Sequence, residues 1–341
     1  MNVCLNTYPW AFGTPGGGER QLQNYHAALL RGQHKWPELI PSLFNSWDPQ
    51  FDTMGLMHYF GCMPSSLDFI NHIKKYRNIP IILSPNFWPD PEGWNTSGVL
   101  EAIKAILWLT DIVIVNSYIE QEVLVRLMNI DSSRIAIVPN AVDDVFFDAV
   151  SPEIFRKTFN ISGPFILNVA NVEPRKNQLA FLKALINFPN LMLVTIGGSR
   201  EQWFTDACKA EGGVQFQLIP MLEPGSELLR SAMAGCEFFA MPSIVETPSI
   251  ASLEAAAVGA KILTTHMGST TEYFDDLAVY VNPYDLGSMQ IGIDAILMQV
   301  APQKLKELVR EKYRWDIVVE DLVRVYSKVL GIESFGSKES I

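Results

Sequence analysis

The stretch FFAMPSIVETPSIASLEAAAVGA, residues 238–260, sets a short apolar run against a turn-rich segment and then a run of small and apolar residues. Residues 238–241 have the continuity of a strand buried on both faces. Pro242 leads out of it, and Thr247 followed by Pro248 has the form of a helix N-cap with proline in the first helical position. The helix so predicted runs to about Val258 and stops at Gly259. Two glutamates, Glu246 and Glu254, flank its start with seven residues between them. Eight residues of helix turn about 800°, about 80° past two full turns, so the two carboxylates do not stack on one face. They bracket the helix N-terminus instead, where the N–H groups of Ser249, Ile250 and Ala251 favour phosphate oxygens. A carboxylate accepts two hydrogen bonds at once and suits a vicinal diol. Phosphate in the middle and a sugar at each end is the outline of a nucleotide diphosphate sugar.

Working outward, apolar runs of strand length recur at residues 2–6, 79–84, 112–116 and 135–138, then at 165–170, 191–197, 214–219, 261–265 and 278–281. Segments of helical period lie between them, at 19–31, 64–76, 99–110, 119–127, 178–186 and 226–234. This alternation predicts an α/β protein with two Rossmann-like, doubly wound parallel sheets. Open sheets of that kind bind ligands at the carboxyl ends of their strands. The polar stretch NAVDDVFFDAVSPEIFRKTFNISGP, residues 140–164, marks the boundary. The predicted domains are 1–160, 161–314, and a terminal segment 315–341 whose helix spans about 315–330 and whose tail, 334–341, is expected to be disordered.

Two further loops carry chemistry. In TPGGGERQ, residues 14–21, three glycines follow the first predicted strand and precede a helix. They permit positive φ and close approach of a ligand to Gly17 and Gly18, or equally a tight structural turn. Gln21 stands where a dinucleotide fingerprint needs its third glycine, which counts against that reading. In NVEPRKNQ, residues 171–178, Arg175 and Lys176 lie at the carboxyl end of the first strand of the second half. Adjacent cations there can stabilise a departing diphosphate, although an isolated pair also suits a solvated face.

Composition narrows the classes. Of 341 residues, 48% are hydrophobic and 18% charged, and the net charge is −11. Residues 1–160 carry 11 basic and 16 acidic side chains and the remainder 15 and 21, so neither half offers the basic field that nucleic acid requires. The apolar stretch 105–115 is interrupted by Asp111 and is shorter than the roughly 18 residues of a spanning helix. The N-terminal residues lack a basic segment and read as a strand, so a cytoplasmic protein is expected, with peripheral contact at the inner membrane face left open. Cys4, Cys62, Cys208 and Cys236 show no metal spacing, the five histidines form no HxxxH pair, and neither metal nor cofactor is expected. Trp10, Trp88 and Trp94 fall in loops near strand ends, where they either stack on sugars, dip into a membrane interface or pack.

Together these motifs resemble the GT-B glycosyltransferases of family 4, the retaining group 1 enzymes. The resemblance rests on Gly16–Glu19, IVNS (114–117), IVPNAVD (137–143), NVEPRKNQ, the Glu246/Glu254 pair and VNPYD (281–285), with RWDIVVEDLVRVY (314–326) similar to a closing helix that returns to the first domain. It implies that the first domain faces the acceptor and the second binds the nucleotide sugar across a cleft. Glu254 would bind the ribose hydroxyls and Glu246 the transferred hexose. Lys176 with Arg175 would stabilise the diphosphate. Ser249, Ile250 and Ala251 would supply N–H groups, residues 219–221 including Met221 would face the base, and Gly17 and Gly18 would lie near the phosphates. The expected partners are a UDP-sugar, UDP-glucose by preference, and a sugar or lipid-linked sugar acceptor in polysaccharide or cell-envelope glycan synthesis, for a metal-independent monomer.

Three departures stand out. Asn171 replaces an arginine common in relatives, and Asn86 a histidine on the acceptor side. ETPSI replaces a glycine-rich version of the motif. His58 is either a substitute for that histidine or a core or cleft-wall residue. A nucleotide-sugar epimerase of the same architecture is the alternative activity; a glycosidase would leave the cations and the helix terminus unexplained.

Overall fold

A computed structural model describes residues 1–13, 15–90, 98–300 and 303–332, so Trp94 and the tail 334–341 lie outside the described residues. The chain divides into two compact units, one of residues 1–140 with 315–341, the other of residues 141–314. Unit 1 is built on a six-stranded parallel sheet: β1 (Asn2–Thr7), β2 (Ile40–Leu43), β3 (Met54–Phe60), β4 (Ile81–Ser84), β5 (Ile112–Val115) and β6 (Ile135–Ile137), in the order β2-β1-β3-β4-β5-β6. Helices α1 (Gly17–Arg31), α2 (Leu67–His72), α3 (Val99–Leu109) and α4 (Tyr118–Met128) connect its strands.

β2 and β3 were absent from the sequence-based expectation. β2 is an edge strand that contains Pro41 and leaves Ile40 and Leu43 each 53% exposed, so it has no buried apolar run to read. In β3, Gly55 and His58 interrupt the pattern, yet the strand lies inside the sheet between β1 and β4.

Unit 2 repeats the plan with β7 (Phe165–Val169), β8 (Met192–Ile196), β9 (Phe216–Ile219), β10 (Phe238–Met241), β11 (Ile262–Thr265) and β12 (Val279–Val281), ordered β12-β11-β10-β7-β8-β9. Its helices are α5 (Glu153–Phe159), α6 (Gln178–Ala184), α7 (Gln202–Gly212), α8 (Glu227–Gly235), α9 (Ile250–Val258), α10 (Thr270–Phe274), α11 (Leu286–Met298) and α12 (Gln303–Lys312). Successive side chains along β7 and β10 enter opposite cores. Phe165, Leu167, Phe239 and Met241 face one, and Ile166, Phe238 and Ala240 the other. Burial on both faces is why these strands are continuous apolar runs in the sequence. The strand order reverses between β7 and β10, and the ends of these two neighbours form the switch point at which open sheets hold ligands.

The boundary falls at residue 140, twenty residues before the predicted one. The polar stretch that resembled a linker is tied into unit 2 by α5. Its Phe155 N–H donates to Ser231 Oγ at 2.9 Å, and Arg156 donates to the carbonyls of Gly163 at 2.7 Å and Gly235 at 2.8 Å. Val142 N–H donates to Tyr313 O at 2.8 Å and Arg314 grips Asp144 through bonds of 2.7 and 3.1 Å, pairing the two ends of the unit.

The last helix, α13 (Trp315–Leu330), belongs to unit 1. Trp315, Val318, Val319, Leu322, Val323 and Tyr326 form its buried stripe at helical spacing. Trp315 packs edge-on to Tyr25 of α1 at 5.3 Å, and Tyr326 reaches His58 of β3 at 2.7 Å. The other ring nitrogen of His58 bonds Ser84 Oγ at 2.8 Å, and the residue is 0% exposed. His58 is therefore a core residue that locks α13 to the sheet, and the acceptor-side role entertained for it is withdrawn.

Burial pushes the His58 imidazole down to about 3. It is neutral in the fold, whereas the unfolded chain protonates it near 6.5. Between those values the unfolded state binds more protons, so stability falls as pH drops, by about 1.4 kcal/mol per unit from this group. Urea unfolding at pH 7.5 and pH 5 should show His58→Gln losing about 2 kcal/mol less than wild type over that interval. Equal losses would remove His58 as the source.

Candidate active site

The site is assembled from the loops after β7 and β10. After β7 the chain makes a tight turn, Pro174–Lys176, and Asn177 closes it in the left-handed region at φ 61°. The Asn177 amide then donates to Pro242 O at 3.1 Å and Pro283 O at 2.8 Å, stapling this turn to the loops that follow β10 and β12. Ile244 N–H donates to Arg175 O at 2.9 Å. Glu246 pairs through its backbone with the loop after β11, its N–H donating to Met267 O and its carbonyl accepting from Ser269 N–H. Gly268 makes that approach feasible: it has φ 98°, and a Cβ there would stand 2.1 Å from Glu246 O.

These backbone ties bring the charged side chains together. Lys176 Nζ lies 2.6 Å from Glu246 Oε1, and Arg175 stands 3.8 Å from the same oxygen. The Lys176 and Glu246 side chains are 13% and 5% exposed. Burial pushes the Glu246 carboxyl up, but Lys176 and Arg175 beside it together prevail and hold it below the usual carboxylate range. Burial pushes the Lys176 ammonium below its ordinary value, Arg175 adds to the effect, and Glu246 offsets only part of it. Lys176 also lies 3.9 Å from Met241 Sδ. A buried pair of this kind is tolerated where geometry is tight, and each charge depends on the other.

Helix α9 starts later than the proline suggested. Ser249, with extended backbone, is the N-cap in place of Thr247, and its Oγ accepts from Ser252 N–H at 3.2 Å. Ser249 is thus committed as the cap, which leaves the first-turn N–H groups of Ile250 and Ala251 beyond the reach of any intrahelical carbonyl. The helix ends at Gly259 in the left-handed region. Glu246 lies outside the helix, while Glu254 is buried in its second turn at 8% exposure.

Asn171 turns its side-chain oxygen to Gly198 N–H at 3.1 Å and its carbonyl to Gln178 Nε2 at 3.0 Å, holding the ends of β7 and β8 together. Met221, beyond β9, is 52% exposed. Gly17, Gly18 and Asn86 belong to unit 1. Gly17 and Gly18 are the first residues of α1 with Gly16 as N-cap at φ −133°, so the positive φ expected of this loop is not used. Space is what the loop needs: a Cβ on Gly18 would meet Asn86 Nδ2 at 3.0 Å. Glu19 closes the start of α1, accepting from Gly16 N–H at 2.7 Å and from Tyr8 Oη at 2.8 Å. Trp10 is 57% exposed and packs edge-on to Tyr8, and Trp88 is half-buried.

Sequence reasoning missed Glu173 and Arg200. Glu173, 8% exposed, binds Arg175 and Arg200 at 3.1 Å each. An acid directly before the Pro-Arg-Lys run was a visible signal for the first, but nothing local pointed to Arg200.

Solved structures place this fold. The chain superposes on sucrose-phosphate synthase from Thermosynechococcus elongatus with a TM-score of 0.80 at 14% identity, covering 97% of this chain and 100% of that one. It superposes on HepE from Anabaena, solved with UDP and glucose, with a TM-score of 0.79 at 14% identity, covering 96% and 100%. The fold is that of the GT-B glycosyltransferases. Residues 151–314 match the family model of glycosyl transferases group 1, and the charged site lies within the matched residues. The D-inositol 3-phosphate glycosyltransferase of Mycolicibacterium smegmatis is 24% identical over 232 residues, 64% of this chain and 53% of that protein. The chain spans about half the length of the curated relatives it matches.

Proposed function

We propose that the chain is a retaining, family 4 glycosyltransferase that moves a hexose from a UDP-sugar, UDP-glucose by preference, to a sugar or lipid-linked sugar acceptor. The observation that carries the reading is the buried Lys176–Glu246 pair beside the open N-terminus of α9, at the switch point of a group 1 glycosyltransferase segment. The solved complexes of HepE with UDP and glucose, and with UDP-glucose, support the choice of donor. Relatives named for inositol phosphate and phosphatidylinositol support a polyol or lipid-linked acceptor.

In this reading the diphosphate lies against the N–H groups of Ile250 and Ala251 and the Lys176 ammonium, which meet the charge that develops on it. Glu246 accepts hydroxyls of the transferred sugar and Glu254 those of the ribose. The bond from the sugar anomeric carbon to the phosphate oxygen breaks, and the acceptor oxygen bonds to that carbon on the same face. The acceptor proton passes to the departing phosphate oxygen, so configuration is retained and UDP is released. No metal enters the scheme. Among the described residues no helix is long and apolar enough to cross a membrane, and cytoplasmic placement is part of the proposal.

Calorimetry with UDP-, GDP- and ADP-sugars, followed by detection of free nucleotide with and without acceptor extracts, tests it. UDP-sugar binding and UDP release that rises with acceptor are expected. No binding across the panel rejects the reading, and a converted sugar without release selects the epimerase.

A further inference from the structure

We infer that Glu173 is a positioning residue, a carboxylate clamp that limits Arg175 to one long contact with Glu246 and so keeps that carboxylate open to the transferred sugar. The inference rests on the glycosyltransferase reading and assigns a role that reading does not contain. Pairing of β7 with β8 continues past both strands: Val172 N–H donates to Gly198 O at 2.8 Å and Arg200 N–H to Val172 O at 3.2 Å. That extension sets Glu173 beside Arg200, 27 residues away in the chain.

The oxygens of Glu173 are divided evenly. Oε1 takes Arg175 and Oε2 takes Arg200, each at 3.1 Å, on a side chain 10% exposed. Arg175 is thereby held with its guanidinium 3.8 Å from Glu246 Oε1 and 3.4 Å from Val245 O, while Lys176 takes the same Glu246 oxygen at 2.6 Å. Both cations approach Oε1, and in this inference the second Glu246 oxygen takes the sugar hydroxyl. Arg175 is half exposed, 51%, so its guanidinium has room to turn once Glu173 no longer holds it. Without Glu173, its planar fork matches a carboxylate bidentately and would close on both oxygens of Glu246.

The test separates sugar recognition from nucleotide recognition. By calorimetry, Glu173→Gln should bind UDP-sugar about 10- to 100-fold more weakly, the worth of a hydrogen bond to a charged group. Its affinity for UDP alone should stay within about twofold of wild type, since no contact with the nucleotide is lost. In an Arg175→Met background, adding Glu173→Gln should cost no further UDP-sugar affinity, because the competing cation is already gone. Equal loss for UDP and UDP-sugar from Glu173→Gln, or a double variant that binds UDP-sugar clearly more weakly than Arg175→Met alone, overturns the clamp. Guanidinium NMR of the ligand-free protein reads the same clamp without substrate: rotation of Arg175 is hindered in the wild type and freed in Glu173→Gln. Unhindered rotation in the wild type also overturns it. A wild type that binds no sugar nucleotide at all rejects the glycosyltransferase reading instead, and leaves the clamp to be judged by NMR.

Discussion

In the proposed reaction, Lys176→Met is expected to lower sugar transfer by about 10²–10³-fold, the cost of removing one preorganised charge-stabilising donor, roughly 2.7–4 kcal/mol. The lysine's position sets that scale. Its ammonium is nearly excluded from water, at 13% side-chain exposure, so its field on the diphosphate proposed to bind beside it would be weakly screened. The substitution also strands Glu246, and breaking a buried pair from one side costs about 3–5 kcal/mol of stability. The pH dependence distinguishes the two consequences. In the wild type Glu246 is held below its ordinary value, so its stabilising contribution is present above the unfolded pKa and lost as pH falls through the folded one. Without Lys176, burial is opposed chiefly by the more distant Arg175 at 3.8 Å, the folded pKa rises, and the variant's deficit relative to wild type shrinks on moving from pH 7 to pH 5. Initial rates and urea unfolding at both pH values check this. A variant that keeps more than a tenth of wild-type turnover is incompatible with the role given to Lys176.

Glu246→Gln is expected to lower transfer by about 10²-fold, because it loses both the charge that orients Lys176 and the strong acceptor for a sugar hydroxyl. Its stability falls as well, since the buried ammonium then lacks a carboxylate at 2.6 Å. Glu246→Gln/Lys176→Met removes both charges together. Replacing a whole buried pair by neutral groups is often close to neutral for stability. The double variant should therefore recover most of the lost unfolding free energy while staying inactive. Recovered activity with recovered stability would reduce the pair to a structural contact. Activity retained by Glu246→Gln but lost by Lys176→Met would assign the chemistry to the lysine alone.

Much of this was legible in the residues. Strands such as 238–241 and 165–169 are continuous apolar runs because helices cover both faces of their sheet, and a periodicity of that kind is a local property of the chain. The loops that carry Lys176, Arg175 and Glu246 could be placed because each directly follows such a run. Where the local signal was weak or ambiguous, the expectation failed. β2 is too exposed and too short to show a pattern. Thr247-Pro248 and Ser249 both satisfy capping chemistry, and the hydroxyl that reached a first-turn N–H was that of Ser249. The segment 153–159 is polar enough to pass for linker, and its attachment to unit 2 lies in contacts with residues far along the chain.

The sequence by itself determined the class of fold, most of its elements and the two loops whose charged residues the fold brings together, because hydrophobic period and turn chemistry act over neighbouring residues. Only the tertiary structure decided how those charges are shared. Lys176 meets Glu246 across 70 residues, Glu173 meets Arg200 across 27, and His58 meets Tyr326 across 268. Such pairs depend on strand register and on which strands are neighbours, and a Coulombic or hydrogen-bonding contact that falls off within a few ångströms leaves no trace in the spacing of residues along the chain.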